Sequence, residues 1–303
     1  MTERNMERVD ALIEETASLK QKNVAVALDF DGVCKRFTKH KHQIMSTLLF
    51  LHLEEFQRAP FDAYMKAYGY VNFLSPEYAG KARFLCVNAL AKHLNGRGFD
   101  CALPGIDEAV CAVEAAGGTV NADSLQVHAG RDQVKRILAW SDEVDRRVAQ
   151  LTEISLTPGI RQHVLDPMRN VADFYVVSTA TERSIRPAME REGIDYVLRY
   201  FGQESAGKFE ALSCLCRCGY RAVFMFGDSV EDSRASDDAG EVAPEDVELI
   251  FCPVVPDEEE ASFASGEAVM RNVMEGASDA ARALAAEQRE RFEGKEAGSD
   301  WSQ

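Results

Sequence analysis

Four short runs of consecutive apolar residues stand out along the chain, and each ends in polar residues or glycine. Because these runs do not alternate with polar positions, they are typical of strands that are buried on both faces of a parallel sheet. Helix-like segments lie between the later runs, at 182–192 and 208–218, and strand followed by helix indicates right-handed crossovers. The predicted strands are residues 24–28, 174–177, 222–226 and 248–252.

Residues 29–173 separate the first two runs, which is far more chain than a crossover needs. Apolar residues recur at helical spacing through most of this stretch, so we expect a helical second domain there. The fold class predicted is α/β, a Rossmann-like doubly wound parallel sheet with an inserted α-helical domain. The expected parts are a core at 20–36 and 155–275, a helical domain at 37–154, an N-terminal helix at 1–19, and a C-terminal helix or disordered tail at 276–303.

Composition restricts the partners of this chain. Among its 303 residues are 34 Lys and Arg but 50 Asp and Glu, giving a formal charge of -16, which argues against a protein held to nucleic acid or anionic lipid. The N-terminal residues lack the apolar segment of a secretory signal, and no apolar run is long enough to span a bilayer. The eight cysteines occur in a chain long enough to fold without disulfides. We expect a cytoplasmic protein without nucleic-acid or membrane partners, either a monomer or a homodimer.

Carboxylates follow two of the predicted strands at the point where each strand ends. Asp29 and Asp31 follow the first strand, with Gly32 in a tight turn, and Asp228 and Asp232 follow the third. The carboxyl ends of parallel strands meet at one edge of a sheet, where ligands bind. Carboxylates gathered there repel one another unless a hard cation is present, and Mg2+ binds one or two carboxylates together with phosphate oxygens. The pattern therefore predicts a magnesium site.

Groups that suit a phosphate are expected at the same edge. Ser178 and Thr179 follow the second strand, and both stay candidates because a one-residue error in the strand end exchanges them. Lys208 begins the helix before the third strand. A lysine, a hydroxyl and helix N-terminal amides satisfy phosphate oxygens, and we include Gly32 in the phosphate-binding set. These residue types together predict phosphoryl transfer.

A carboxylate is a suitable nucleophile for this chemistry. An aspartyl phosphate is labile enough for water to hydrolyse it, and a cation between the carboxylate and the phosphate reduces their repulsion. An aspartate two residues further on, as Asp31 is from Asp29, can protonate the leaving oxygen and then deprotonate the water.

Four short motifs, in chain order, carry a resemblance to a known superfamily. They are Asp29-Phe30-Asp31-Gly32-Val33, Ser178, Lys208 and Gly227-Asp228-Ser229-Val230-Glu231-Asp232. The chain resembles the haloacid dehalogenase-like (HAD) hydrolase superfamily, in its phosphoglycolate-phosphatase-like branch with a helical cap inserted after the first motif. The resemblance covers residues 24–36 and 157–256.

Carried over residue by residue, the resemblance implies roles for the four aspartates. Asp29 would be the nucleophile, and Asp31 the acid/base whose backbone carbonyl also reaches the metal. Asp228 would be a direct metal ligand, and Asp232 a ligand directly or through water. The serine and the lysine match the phosphate-binding residues. Dehalogenases lack an acid at the second position, so Asp31 favours phosphate esters.

The resemblance implies an Mg2+-dependent phosphatase that acts on a small phosphorylated metabolite. A phosphomutase is an alternative, because it shares every motif and returns the phosphoryl group to the substrate. A non-catalytic phosphometabolite-binding protein is a third hypothesis, whose signature would be the loss of Asp29, Asp31 or Asp228, and the sequence has all three.

A dense basic cluster follows the first motif. It could attract an anionic substrate, or it could be a solvated hinge, and the sequence leaves both interpretations open. Its members are Lys35, Arg36, Lys39, His40, Lys41 and His42.

Overall fold

The computed structural model describes residues 3–150 and 155–298, and these form two compact units. Within the described residues, the first unit comprises 3–37 and 155–298, and the second comprises 38–150. The domain boundary predicted at 154/155, and residues 299–303 of the predicted tail, lie at or beyond the limits of the described part.

The first unit is built on an all-parallel, five-stranded sheet in the order β3-β2-β1-β4-β5. The predicted α/β class and parallel sheet are thereby confirmed. One strand, β3, is missing from the prediction because Arg199 interrupts its apolar run, and this arginine is neutralised by Glu15 at 2.7 Å. The strands are β1 (Val24–Leu28), β2 (Asp173–Val177), β3 (Val197–Phe201), β4 (Ala222–Gly227) and β5 (Glu248–Pro253).

Helices cover both faces of this sheet, which explains why its central strands are apolar without alternation. Ala25 and Ala27 of β1 share a buried cluster with residues of α1 and α10, and on β4 Phe226 packs against Phe263 of α12 with ring centroids 6.1 Å apart. Numbered along the whole chain, the helices of this unit are α1 (Glu3–Leu19), α8 (Asp166–Met168), α9 (Glu182–Arg191), α10 (Lys208–Arg217), α11 (Val230–Val242), α12 (Glu259–Met274) and α13 (Ser278–Gly298), with a π-helical turn at Arg161–Leu165.

The first and last helices pack onto the sheet unit. Val9 of α1 is fully buried among the residues of α10 and the strands. In α13, Phe292 packs edge-to-face on Phe251 of β5 at 6.1 Å, and the Gln288 amide donates to the Ser262 carbonyl at 2.8 Å. These contacts make α1 and the described part of α13 integral to the first unit.

Helices are the only regular elements among the described residues of the second unit. Its core surrounds Trp140, which is fully buried and donates from Nε1 to the Met45 carbonyl at 3.1 Å. The Arg136 guanidinium also pairs with the buried Glu55 at 2.7 Å. The helices are α2 (Phe37–His52), α3 (Phe61–Gly69), α4 (Arg83–Gly96), α5 (Pro104–Ala115), α6 (Ala122–Gln126) and α7 (Asp132–Ala149), with a 3-10 turn at Glu54–Arg58 and a π-helical turn at Tyr70–Leu74.

Among the described residues, no helix combines the length and the apolar character needed to cross a bilayer.

Candidate active site

Asp29 lies at the carboxyl end of β1, in the centre of the sheet. Its backbone N–H donates to the Phe226 carbonyl of β4 at 2.9 Å, which continues the strand pairing by one residue. The side chain is buried, with 5% of the residue exposed. The central strand therefore delivers this carboxylate in a fixed position.

Asp31 lies in a tight turn, two residues after Asp29. Gly32 has φ +90°, a left-handed conformation that favours glycine, and its N–H donates to the Lys35 carbonyl at 2.7 Å. A Cβ atom at Gly32 would lie only 1.7 Å from Oδ2 of Asp228. Glycine is required here for two reasons, the backbone conformation and the close approach of a carboxylate from the neighbouring strand end.

The carboxyl end of β4 supplies Asp228 and a capping box that begins α11. Ser229 is the N-cap, and its Oγ accepts from the Asp232 N–H at 3.3 Å. In return, Oδ2 of Asp232 accepts from the Ser229 N–H at 3.1 Å and from its hydroxyl at 2.6 Å. Sequence reasoning did not assign a role to Ser229, although the Ser-x-x-Asp spacing after a predicted strand is the signal of such a cap.

Lys208 connects these elements electrostatically. It is the first residue of α10 and is buried, and its Nζ lies 2.6 Å from Oδ1 of Asp232 and 3.5 Å from Oδ1 of Asp29. Burial alone would lower the pKa of Lys208, but the Asp232 and Asp29 carboxylates raise it well above its usual value. The lysine is therefore charged at neutral pH. Both oxygens of Asp232 accept protein hydrogen bonds, Oδ1 from Lys208 and Oδ2 from Ser229.

Three carboxylates meet at this edge of the sheet. One oxygen from each of Asp29, Asp228 and Asp232 lies within 4.8 Å of the others. Burial raises the pKa of Asp29 to about 8; Lys208 opposes the change, and Asp232 and Asp31 add to it. Burial likewise raises the pKa of Asp228 well above its usual value, with further increases from Asp29 and Asp232. A single lysine thus leaves these carboxylates under-compensated.

The chemistry of this donor set fits a hard divalent cation. Its ligand atoms are carboxylate oxygens, which suit Mg2+, whereas structural zinc sites use thiolate and imidazole ligands. A cation would also supply the positive charge that the buried carboxylates lack. The residues present therefore fit the magnesium that the sequence predicts.

Ser178 and Thr179 differ sharply in their surroundings. The Ser178 N–H donates to the Phe201 carbonyl of β3 at 2.9 Å, and the residue is only 3% exposed, whereas Thr179 is exposed. The Ser178 Oγ accepts from the Ala180 N–H at 3.1 Å, so its hydroxyl hydrogen is the group that it can donate to another acceptor. Since β2 is paired with β1, Ser178 lies at the same edge of the sheet as Asp29. The structure therefore favours Ser178 over Thr179.

The basic cluster is not a single positive surface. The Lys35 ammonium is buried and donates to Glu192, and the Arg36 guanidinium pairs with Glu259 at 2.9 Å. His42 belongs to the second unit, where its Nδ1 lies 2.9 Å from the Tyr68 hydroxyl. Lys35 is thus neither a solvated hinge residue nor an attractant for substrate, and nothing in the sequence indicated a partner 157 positions away.

Mg2+ is expected to stabilise the protein, and more so as the pH rises. In the metal-free protein, the raised pKa of Asp29 means that the folded state retains a proton that the unfolded chain has lost, so stability falls as pH rises from 3.8 to about 8. A cation replaces that proton. At about 100-fold above its Kd, Mg2+ should add about 2.7 kcal/mol.

Thermal unfolding with and without MgCl2 at pH 6 and pH 8 measures this effect. Asp228→Asn should remove most of the gain, whereas Asp238→Asn, which changes an exposed aspartate of α11, should retain it. An equal gain in the Asp228 variant would contradict the assignment of the metal site.

No protein-family model and no curated protein sequence matches this chain. Solved structures do match it. A protein described as a predicted phosphoglycolate phosphatase from Haemophilus somnus is 14% identical, with 77% of this chain and 84% of that chain covered and a TM-score of 0.43. A magnesium-bound protein assigned as a HAD-hydrolase from Bacillus subtilis is 16% identical, with 79% and 92% covered and a TM-score of 0.43. A protein assigned as a beta-phosphoglucomutase from Thermotoga maritima is 13% identical, with 78% and 96% covered and a TM-score of 0.43.

These three proteins are described as a predicted phosphoglycolate phosphatase, an assigned HAD-hydrolase and an assigned beta-phosphoglucomutase. At such low identities and TM-scores the likeness concerns the fold at most. The function of the chain has to be inferred from the geometry of its own site.

Proposed function

We propose that this protein is an Mg2+-dependent phosphatase of the HAD superfamily, which hydrolyses a small phosphorylated metabolite through an aspartyl phosphate. One observation carries the proposal. The carboxylates of Asp29, Asp228 and Asp232 meet within 4.8 Å at the carboxyl edge of the parallel sheet, beside the buried ammonium of Lys208.

Asp29 is the nucleophile in this proposal. It is buried at the end of the central strand, and its backbone is fixed by hydrogen bonds to the neighbouring strand and to the Cys34 N–H at 3.3 Å. The metal would be held by Asp29, Asp228 and the backbone carbonyl of Asp31, with Asp232 acting as a ligand directly or through water. Bound there, Mg2+ neutralises charge between the carboxylate and the phosphate that it attacks.

Asp31 acts as the general acid and then the general base. It protonates the leaving oxygen when the phosphoryl group passes to Asp29, and it later accepts a proton from the water that hydrolyses the aspartyl phosphate. Its half-buried position in the turn leaves it accessible to substrate and water.

The phosphate is bound by Ser178, Lys208 and the turn at Gly32 in this proposal. Asp232 holds the lysine at 2.6 Å, so the ammonium is oriented before substrate arrives. An ammonium fixed in this way stabilises the charge on the transferring phosphoryl group without having to reorganise during the reaction.

The helical stretch at 37–154 is proposed as the cap domain, which would exclude bulk water and select the substrate. A cytoplasmic location is proposed because none of the eight cysteines, all of which lie in the described residues, forms a disulfide, and reduced cysteines persist in a reducing compartment.

The proposal is tested by measuring phosphate release from a panel of phosphomonoesters, including sugar phosphates, nucleotides, phosphoglycolate and phosphoamino acids, with and without MgCl2. Release that depends on Mg2+ is expected from at least one member. An isomerised sugar phosphate without net phosphate release would instead identify a phosphomutase. If no substrate turns over and beryllofluoride forms no adduct at Asp29, the enzyme proposal is wrong.

A further inference from the structure

A lysine lies buried six positions after the proposed nucleophile. Only 4% of Lys35 is exposed, and its ammonium donates to the Glu192 carboxylate at the end of α9. Burying an ammonium is costly unless a charged partner compensates it. Glu192 supplies that partner while its own side chain remains 26% exposed.

The backbone of the same residue closes the turn that carries Asp31. The Lys35 N–H donates to the Phe30 carbonyl at 3.0 Å, and the Lys35 carbonyl accepts from the Gly32 N–H at 2.7 Å. The backbones of Asp31 and Lys35 also form an isolated parallel β-bridge, and Lys35 forms a second, antiparallel β-bridge with Leu156. The position of the Asp31 backbone is therefore set by the position of Lys35.

The other end of the ion pair lies at the C-terminal end of α9. Glu192 directly follows α9, the helix that begins shortly after Ser178. The backbone carbonyl of Glu192 accepts from the Arg161 guanidinium at 2.6 Å, which fixes this helix end as well. The Lys35–Glu192 pair thus joins the Asp31 turn to the C-terminal end of α9.

We propose that Lys35 is a positioning residue that holds Asp31 in register with the leaving oxygen of the substrate, through its ion pair with Glu192. This inference rests on the proposed function, because it assigns Lys35 a part in proton transfer by Asp31. Lys35 does not touch substrate in this role, since its ammonium is engaged with Glu192 inside the protein.

The sign of the expected effect follows from general acid catalysis. An alkyl phosphate needs protonation of its leaving oxygen, whereas the p-nitrophenolate of p-nitrophenyl phosphate leaves readily without it. The parameter kcat/KM reports the first irreversible step, in which the leaving group departs. A misplaced acid should therefore lower kcat/KM for the alkyl ester far more than for the aryl ester.

The test uses Lys35→Met in the full chain. Methionine preserves apolar volume and leaves the partly exposed Glu192 hydrated, so folding should be retained. We expect kcat/KM for an alkyl phosphate such as glycerol 3-phosphate to fall by about 100-fold, the scale of a lost acid, with a loss of about threefold or less for p-nitrophenyl phosphate. Lys35→Arg should restore most of the kcat/KM for the alkyl ester that Lys35→Met loses. Asp31→Asn, which removes the acid itself, shows the largest loss that Lys35→Met can cause.

A matched control separates positioning from general destabilisation. Arg199→Met also removes a largely buried cation with a carboxylate partner, Glu15, but it lies on β3 away from the turn. This variant should lower the melting temperature without changing the ratio of the two kcat/KM values. If Lys35→Met does not fold, Glu192→Gln weakens the same ion pair and should shift the ratio in the same direction.

The outcomes distinguish the two proposals. A wild-type protein that hydrolyses neither ester nor any other panel member overturns the phosphatase proposal and this inference with it. An active wild type with an unchanged ratio in the Lys35 and Glu192 variants overturns only the positioning role.

Discussion

Asp29→Asn is expected to lower phosphate release by a factor on the order of 10⁴ or more, because an amide cannot form an acyl phosphate. The residue lies at the end of the central strand, where its backbone is fixed and its side chain is almost fully buried. Among the residues that the structure describes, no other carboxylate is held in the same position. Initial rates of phosphate release with MgCl2 measure the effect, and beryllofluoride adduct formation should be lost in parallel.

The same substitution should leave the fold intact and, without metal, should stabilise it above neutral pH. Asparagine has nearly the same shape and removes a buried carboxyl whose pKa burial raises to about 8. Its removal therefore abolishes the contribution of Asp29 to the loss of stability between pH 3.8 and about 8. Thermal unfolding at pH 6 and pH 8, with Asp238→Asn as the exposed control, tests this. Turnover retained by a folded Asp29 variant would remove the proposed nucleophile.

The location of the site at the strand ends could be predicted from sequence, whereas its internal connections could not. Apolar runs marked β1, β2 and β4, and parallel pairing forces the residues that follow them to one edge. Strand β3 was not predicted because Arg199 interrupts its apolar run, and the charge of this arginine is balanced by Glu15 of α1, which is distant in sequence. No local pattern contains a partner of this kind.

Partners distant in sequence also decide what the charged residues do. In the sequence, Lys35 is one member of a basic cluster, but in the structure its ammonium is buried and donates to Glu192. The sequence predicts Asp232 as a metal ligand, directly or through water, and in the structure its two oxygens also accept hydrogen bonds from Lys208 and Ser229. Motif spacing predicts which residues meet, but the hydrogen bonds between them come from packing.

Part of the acidic excess of the chain is concentrated in this site. A net charge of -16 argues against polyanionic partners, but part of the acidic excess is buried around Lys208 rather than spread over the surface. Buried carboxylates with raised pKa values are destabilising in the absence of a cation. In the proposed enzyme, the same imbalance favours metal binding and makes the pocket suitable for a phosphate.

Gly32→Ala is expected to damage both stability and activity, although it adds a single methyl group. At φ +90° an alanine is strained, and its Cβ would lie 1.7 Å from Oδ2 of Asp228. The strain should cost about 1–3 kcal/mol, and relief of the clash requires the turn or the Asp228 carboxylate to move. Since Asp31 lies on that turn and Asp228 is a proposed ligand, Mg2+-dependent phosphate release should fall by about 100-fold or more, as a displacement of about 1 Å can cause.

Gly276→Ala provides the matched control for this change. Gly276 also has a positive φ, +82°, but a Cβ there meets nothing within 4 Å, so that variant carries the backbone strain without the clash. Urea unfolding of both variants, with phosphate release measured at saturating MgCl2, separates the two effects. The Gly276 variant should be destabilised and fully active. Equal activity in the two variants would mean that the approach of Asp228 to the turn has no part in catalysis, because strain alone would then account for everything that the Gly32 substitution does.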